Sequence, residues 1–110
     1  MRNLMLSLIL SILAVTANGT PISEEDRKAF IETATPGCLA RQKEQLLSKS
    51  WAASQKNEYC DCYINRAANL ITHEDLQHIT ETNSNSYITP KLDESDYYCM
   101  KMLLKKWGKI

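Results

Sequence analysis

Apolar residues recur every three or four positions along most of the chain, which is the spacing of amphipathic α-helices. A first helix is predicted after Ser23, because serine caps helix starts and the three residues that follow it are acidic. The apolar edge of this helix consists of Phe30, Ile31 and Ala34. Thr35 followed by Pro36 then resembles the cap and first position of a second helix. The apolar residues of this second helix are Leu39, Leu46 and Leu47, and they lead towards Trp51.

A third and central helix is predicted from a cap at Ser54, because two adjoining rows of apolar residues run along it. The first row is Tyr59, Tyr63, Ala67 and Leu70, and the second is Cys60, Ile64, Ala67 and Ile71. A fourth helix follows the cap residue Thr72, with two acidic residues in its first turn. Its inward residues are Leu76 and Ile79.

The segment TNSNSYITPKLDESD, residues 82–96, breaks the helical spacing and is rich in Asn, Ser and Thr, so it predicts a long loop. A last helix is predicted to begin at the cap residue Asp93, with Leu92 packed on Tyr97, and to end at Gly108. Its apolar residues are Tyr97, Met100, Leu103, Leu104 and Trp107. Together these elements predict an all-α fold, a compact bundle of four or five helices.

The first 19 residues have the composition of a cleavable export signal. Arg2 precedes an apolar run over residues 4–15, which is shorter than the about 20 residues that a membrane-spanning helix needs. Ala17 and Gly19 occupy the small-residue positions of a cleavage site, so cleavage is predicted after Gly19, with Ala17 as the alternative. We therefore expect a leader over residues 1–19 and a single domain over residues 20–110. The protein would be periplasmic or secreted, without a stable membrane anchor unless the leader stays uncleaved.

Charge argues against one class of partner. The chain has 13 Lys+Arg and 13 Asp+Glu, and only Arg2 lies in the leader, so the mature chain has 12 basic and 13 acidic residues and a net charge of −1. Nucleic-acid-binding domains usually carry a basic excess, and none is present here. We therefore expect no nucleic-acid partner.

The four cysteines predict two structural disulfides, because small exported domains are commonly reinforced in this way. Cys60 and Cys62 would project about 200° apart on a helix, so they cannot bond to each other and reach two other elements instead. Cys38 and Cys99 are the available partners. Two pairings remain open: Cys38–Cys60 with Cys62–Cys99, or Cys38–Cys62 with Cys60–Cys99.

Other chemistry has weaker support. Zinc sites usually take cysteine pairs with two to four residues between them, and redox pairs are usually Cys-x-x-Cys; this chain has neither, because only one residue separates Cys60 from Cys62. His73 and His78 lie about 140° apart around a helix, unlike the histidine pair of a zinc protease. No serine-nucleophile motif and no separated pair of buried carboxylates is recognisable. We therefore predict a non-enzymatic protein with no catalytic residue, no metal ligand and no cofactor.

Exposed aromatic and apolar residues are the best candidates for contact with a partner, because Tyr and Trp are favoured at recognition surfaces and loops often carry function. The candidates are Tyr87 and Ile88 in the predicted loop, and Tyr98 in the last helix. The expected partner is another protein. For Tyr87 and Ile88, packing on the core is the competing role.

The leader, the segments AFIETATPGC, YCDCYINRAANLIT and HEDL, and a late single cysteine resemble small helical periplasmic proteins of Gram-negative bacteria. Size, export and disulfides are also similar to the immunity proteins that protect bacteria against type VI secretion toxins. The resemblance implies an exported domain that binds and blocks another protein, and it supplies no contact residue. The alternatives are a secretion or envelope assembly factor or chaperone, a secreted effector, or a small metal- or redox-handling protein.

Overall fold

The computed structural model describes residues 19–110, which form four α-helices joined by short connections. The elements are α1 (Glu24–Glu44), α2 (Ala53–Leu70), α3 (His73–Thr82), a single 3-10 turn (Ser86–Ile88) and α4 (Thr89–Lys106). Residues 19–110 contain no β-strand, and one isolated bridge joins Pro21 to Thr72. The prediction of an all-α bundle is confirmed. The predicted leader, apart from Gly19, lies outside the described residues.

Three predicted helix boundaries are confirmed by their capping geometry. Ser23 Oγ accepts the backbone N–H of Asp26 at 3.1 Å, and Thr72 Oγ1 accepts that of Asp75 at 3.1 Å. Each bond satisfies one of the amide groups that a helix start leaves without a partner. At the other end of the chain, α4 stops before Gly108, whose φ of 74° is the left-handed conformation that glycine tolerates.

The predicted break at Thr35 is wrong, because α1 runs through Pro36 without interruption. Proline inside a helix removes one backbone hydrogen bond and normally favours a break. Here Thr35 Oγ1 donates to the carbonyl of Ile31 at 2.6 Å, and Cys38, one half-turn further on, is fixed to α2 by a disulfide. The covalent anchor therefore keeps the chain helical across a position that would otherwise end the helix.

The segment between α1 and α2 is a turn and not the end of an apolar helix face. Leu46 is 92% exposed and Leu47 is 61% exposed, whereas Trp51 is buried. Ser48 Oγ donates to the carbonyl of Gln42 at 3.1 Å, which bends the chain back over the end of α1. The prediction that both leucines face the core is therefore wrong.

The starts of α2 and α4 also differ from prediction. Ser54 lies inside α2, whose cap position is Ala52; the side chain of Gln55 accepts the N–H of Ala52 at 3.0 Å. The predicted long loop is short, because α4 begins at Thr89 with Pro90 in its first turn, a position that proline favours. Asp93 is consequently a residue of α4 and not its cap.

The earlier start of α4 also changes which side chains it buries. Tyr97 is exposed and does not hold Leu92, which packs into the core instead. The fully buried residues of α4 are Ser95, Cys99 and Leu103.

Helix α2 is central, as predicted, and packs against α1 on one side and α4 on the other. One core cluster surrounds the disulfides: Cys38, Trp51, Tyr59, Cys60, Tyr63, Ile64, Cys99 and Leu103. A second cluster lies at the other end of the bundle: Ala67, Ile71 and Ile88. The core is therefore one aromatic and sulfur-rich region that continues into a smaller aliphatic one.

The predicted pair of disulfides is present. The bonds are Cys38–Cys60 between α1 and α2, with Cα atoms 5.8 Å apart, and Cys62–Cys99 between α2 and α4, with Cα atoms 5.9 Å apart. This is the first of the two pairings that the sequence leaves open. The Cys-x-Cys of α2 thus connects that helix covalently to a neighbour on each side.

An ion pair between a buried carboxylate and a partly exposed lysine connects α3 to α4. The carboxylate of Asp75 accepts the backbone N–H of Thr72 at 2.9 Å and pairs with the ammonium group of Lys91. Burial alone would raise the pKa of Asp75, but the hydrogen bonds from Lys91 and Thr72 outweigh burial and lower it. The carboxylate therefore stays charged at neutral pH and depends on Lys91 for compensation.

Substitution of Lys91 by Met is expected to lower the free energy of unfolding by about 1–3 kcal/mol at pH 7, because it leaves a buried carboxylate without its counter-ion. A lowered pKa stabilises the folded state above the unfolded pKa and loses that effect as the pH falls. The difference between wild type and variant should therefore shrink towards pH 3. Urea unfolding at both pH values measures it, with the exposed Lys101→Met as control. An equal loss at both pH values would contradict the role given to Asp75.

Candidate functional site

A pocket of about 350 Å³ opens between the C-terminal part of α1 and the middle of α2 and α4. We call it the Gln42 pocket, and its polar lining residues are Arg41, Gln42, Gln45, Tyr59, Tyr63, Asp93 and Asp96. The remaining lining residues are Cys38, Leu47, Leu92 and Met100. The pocket exists because the turn after α1 folds back beside it, and because the Cys38–Cys60 disulfide fixes α1 to α2 at this level.

Gln42 is the most informative residue of the pocket. It is one helical turn after Cys38, so its side chain lies on the same face as the disulfide, and it is only 3% exposed. Its Nε2 lies 3.9 Å from Cys38 Sγ, and its Oε1 has no hydrogen-bond partner within residues 19–110. A buried acceptor without a donor costs about 1–3 kcal/mol. This oxygen is the one buried side-chain acceptor in the described residues that has no hydrogen-bond donor within the domain.

Two stacked tyrosines form the wall contributed by α2. The rings of Tyr59 and Tyr63, one helical turn apart, have centroids 5.7 Å apart. The hydroxyl of Tyr59 donates to the carboxylate of Asp96 on α4. Burial, followed by this hydrogen bond, raises the pKa of Tyr59 far above its usual range, and burial also raises the pKa of Tyr63. Both hydroxyls stay protonated, so they serve as hydrogen-bonding groups and not as nucleophiles.

The charges of the pocket favour a cationic ligand. Arg41 is the one cation in the lining, and Asp93 and Asp96 provide two carboxylates. Gln42 Oε1 adds a third site that can only accept a hydrogen bond. Lysine and arginine side chains carry several N–H donors and no acceptor, so a basic side chain matches this set of acceptors.

The rim of the pocket is apolar and exposed. Leu47 lines the pocket, and Leu46 beside it is one of the most exposed large apolar side chains in the described part of the chain. Contiguous apolar area at the surface is a feature of many interaction sites. The turn therefore provides an apolar contact next to a polar recess.

The three partner-binding candidates from the sequence lie elsewhere. Tyr87 is exposed, with its ring centroid 4.1 Å from that of His78. Tyr98 is partly covered, because the guanidinium of Arg66 lies 3.8 Å from its ring centroid. Ile88 is 3% exposed and belongs to the second core cluster, so its side chain packs and cannot reach a partner in this structure. None of the three lines the Gln42 pocket.

Sequence reasoning missed Gln42, Leu46 and Leu47. The helical spacing assigned both leucines to a buried face, although the polar run SKS that follows them was a signal that the helix had ended. No signal in the sequence distinguishes Gln42 from other glutamines. Its burial depends on the disulfide and on the position of α4.

The fold and the pocket define a disulfide-braced all-α domain with a polar recess beside an exposed apolar turn. Comparisons with protein-family models, with curated proteins and with solved structures find no match. Between residues 19 and 110, no helix has the length and apolar character required to cross a bilayer. No group of three or more His, Cys, Asp or Glu side chains in that part of the chain is placed to hold a metal ion.

Proposed function

We propose that this chain is an exported, non-enzymatic protein-binding domain whose binding surface is the Gln42 pocket with Leu46 and Leu47. The observation that carries the proposal is the unpartnered Gln42 Oε1, buried in a pocket lined by two carboxylates. A protein gains nothing in stability from such an oxygen, whereas a bound partner would complete its hydrogen bonding. The exposed leucines at the rim supply apolar area of the kind that anchors protein–protein interfaces.

The partner would insert a lysine or arginine side chain into the Gln42 pocket. Its stem would pass Leu47 at the rim, and its N–H groups would reach Gln42 Oε1 and the carboxylates of Asp93 and Asp96. Charge-assisted hydrogen bonds of this kind are stronger than neutral ones and fix the orientation of a partner. An inhibitor or immunity protein that blocks a basic surface of its target would use this chemistry.

The oxidised cysteines support an extracytoplasmic setting, because disulfides persist in oxidising compartments. A periplasmic or secreted location is the expectation that fits both this observation and the leader. The thiol-dependent alternatives, metal handling and redox catalysis, have less support because the four cysteines are paired in two disulfides and none is free. The raised pKa values of Tyr59 and Tyr63 likewise give no reason to assign catalysis to the pocket.

Substitution of Gln42 by Met is expected to separate stability from binding. Methionine has nearly the same shape and removes the unpaired oxygen, so the free energy of unfolding should stay level or rise by about 1 kcal/mol. The affinity for the partner should fall about tenfold or more, which corresponds to one lost hydrogen bond of about 1.4 kcal/mol. Urea unfolding and calorimetric titration with the purified partner measure the two effects.

The partner for this test is obtained by capture on oxidised mature domain from periplasmic and secreted extracts, read by mass spectrometry. Leu47→Ser should weaken capture and leave the unfolding midpoint nearly unchanged, since the side chain is exposed. Tyr97→Ser, at another exposed site, is the matched control, and Tyr87→Ala tests the loop candidate. A partner that is lost only with Tyr87→Ala would move the interface away from the pocket. Absence of any stoichiometric protein partner would sink the proposal.

A further inference from the structure

Thr20 is held against the first turn of α3 by all of its polar groups. Its backbone N–H donates to Glu74 Oε2 at 3.0 Å, and its hydroxyl donates to Glu74 Oε1 at 2.9 Å. Its carbonyl accepts the backbone N–H of His73 at 2.7 Å. The next residue, Pro21, forms the isolated bridge with Thr72. Both carboxylate oxygens of Glu74, which is 54 positions away in the sequence, thus accept a hydrogen bond from this one threonine.

The residue before Thr20 is restricted to glycine for two physical reasons. Gly19 has a φ of 80°, and a Cβ added to it would lie 2.6 Å from Thr72 Cγ2. Any larger residue at this position would strain the backbone and collide with Thr72, the cap residue of α3. A small residue is also what a leader-cleaving protease requires immediately before the bond it cuts. A larger residue at this position would thus fit neither the uncleaved folded chain nor the processing requirement.

We propose that Thr20 is the first residue of the mature protein, and that Glu74 is the built-in receptor for the α-ammonium group that processing creates. Cleavage takes place on the unfolded chain during export, where an endopeptidase hydrolyses the Gly19–Thr20 peptide bond with one water molecule. The reaction leaves a carboxylate on Gly19 and an ammonium group on Thr20. The nitrogen that donates to Glu74 Oε2 would then carry a positive charge, and the close approach of Gly19 to Thr72 would disappear.

The electrostatics of Glu74 suit this role. Hydrogen bonds, first from the backbone N–H of Thr20, lower the pKa of Glu74 to about 2, so its carboxylate is charged at physiological pH. The other charged or titratable groups near the segment are His73 and Asp75 in the same helical turn, and Glu24 and Arg27 of α1. Asp75 accepts the backbone N–H of Thr72, and Glu24 and Arg27 line one hollow with Pro21. A charged amine next to an ionised carboxylate has its pKa raised.

The pH dependence follows from that direction. An unpaired α-amino group has a pKa of about 7.7–8.0, and pairing with Glu74 would raise it in the folded state. The stabilisation is then complete below the unfolded pKa and is lost as the pH rises through the folded pKa. A mature chain acetylated at Thr20 has an amide nitrogen there, which does not titrate, so it would show no such loss.

The first experiment is the intact mass and N-terminal sequence of the full chain after export from a bacterial host. A mature chain that begins at Thr20 is expected. A chain that begins at Asn18, or one that retains the leader, would overturn the proposal. No binding partner is needed, so this result is independent of the proposed function.

The second experiment measures the pKa of the Thr20 amine in the mature protein by NMR titration. A value above 8 is expected, and Glu74→Gln should return it to about 7.7–8.0. Glu25→Gln is the matched control, because Glu25 occupies the equivalent first-turn position of α1 and should leave the amine unchanged. A wild-type value of 8 or below would overturn the proposal, whether or not the variants fold. The thermal midpoint of the mature chain should exceed that of the same chain acetylated at the Thr20 nitrogen by about 2–5 °C at pH 6 and match it near pH 10.

Discussion

Reduction of both disulfides is expected to unfold the domain at neutral pH and 25 °C, with loss of most of the helical circular-dichroism signal. Cys38–Cys60 closes a loop with a sequence separation of 22, and Cys62–Cys99 one with a separation of 37. The chain-entropy argument gives about 3.4 and 3.8 kcal/mol for loops of these lengths. The whole stability of a domain of this size is about 5–14 kcal/mol. The two bonds together thus account for much or all of it.

Paired substitutions test the two bonds separately. Cys38→Ala with Cys60→Ala, and Cys62→Ala with Cys99→Ala, should each lower the free energy of unfolding by about 3–4 kcal/mol. The two loops follow each other along the chain without overlapping, so the losses should combine, and the fourfold variant should be unfolded at 25 °C like the reduced wild type. Reoxidation of the reduced wild type is the control for reversibility. A reduced protein that keeps a cooperative thermal transition at 25 °C or above would contradict the assigned role of the bonds.

The sequence predicted those parts of the fold that depend on local chemistry. The caps at Ser23 and Thr72 and the stop at Gly108 involve side chains or backbone within a few residues, so their signals are local. The central position of α2 followed from its two rows of apolar residues. The failures occurred where a distant contact overrides a local preference. Pro36, for example, lies inside a helix because Cys38, two residues further along the chain, is fixed to α2 by a disulfide.

The candidate site shows the same division. The cysteines could be predicted as disulfides from their number and spacing, and the helical geometry excluded one pairing of three. The choice between the remaining two required the positions of α1 and α4 relative to α2, which no local pattern encodes. The Gln42 pocket needs three elements and a turn to come together, so its residues could not be grouped from the sequence. Leu46 and Leu47 were assigned to the core because helical spacing alone does not show where a helix ends.

Substitution of Trp51 by Ala is expected to lower the free energy of unfolding by about 3–5 kcal/mol, the range for removing a buried tryptophan. Trp51 is 5% exposed and packs edge-on against Tyr59 and Trp107, with ring centroids 5.8 and 5.1 Å away. Such aromatic pairs add to the stabilisation that comes from burial alone. Trp51→Phe should cost about 1–2 kcal/mol, because it keeps an aromatic ring at this position but leaves a smaller cavity. Urea unfolding followed by circular dichroism measures both.

The Trp51→Ala variant also tests whether the core fixes the exposed turn between α1 and α2, which carries Leu46 and Leu47. Leu46→Ala is the matched control, since it removes a large apolar side chain from the same turn at a position that is 92% exposed, and it should stay within about 0.5 kcal/mol of wild type. Trp51→Phe should keep partner affinity close to wild type, because the ring that pins the turn remains. Trp51→Ala should weaken binding even where the domain is still folded, because the Leu47 contact loses its fixed position. Equal stability of Trp51→Ala and Leu46→Ala would mean that the turn is not anchored by Trp51.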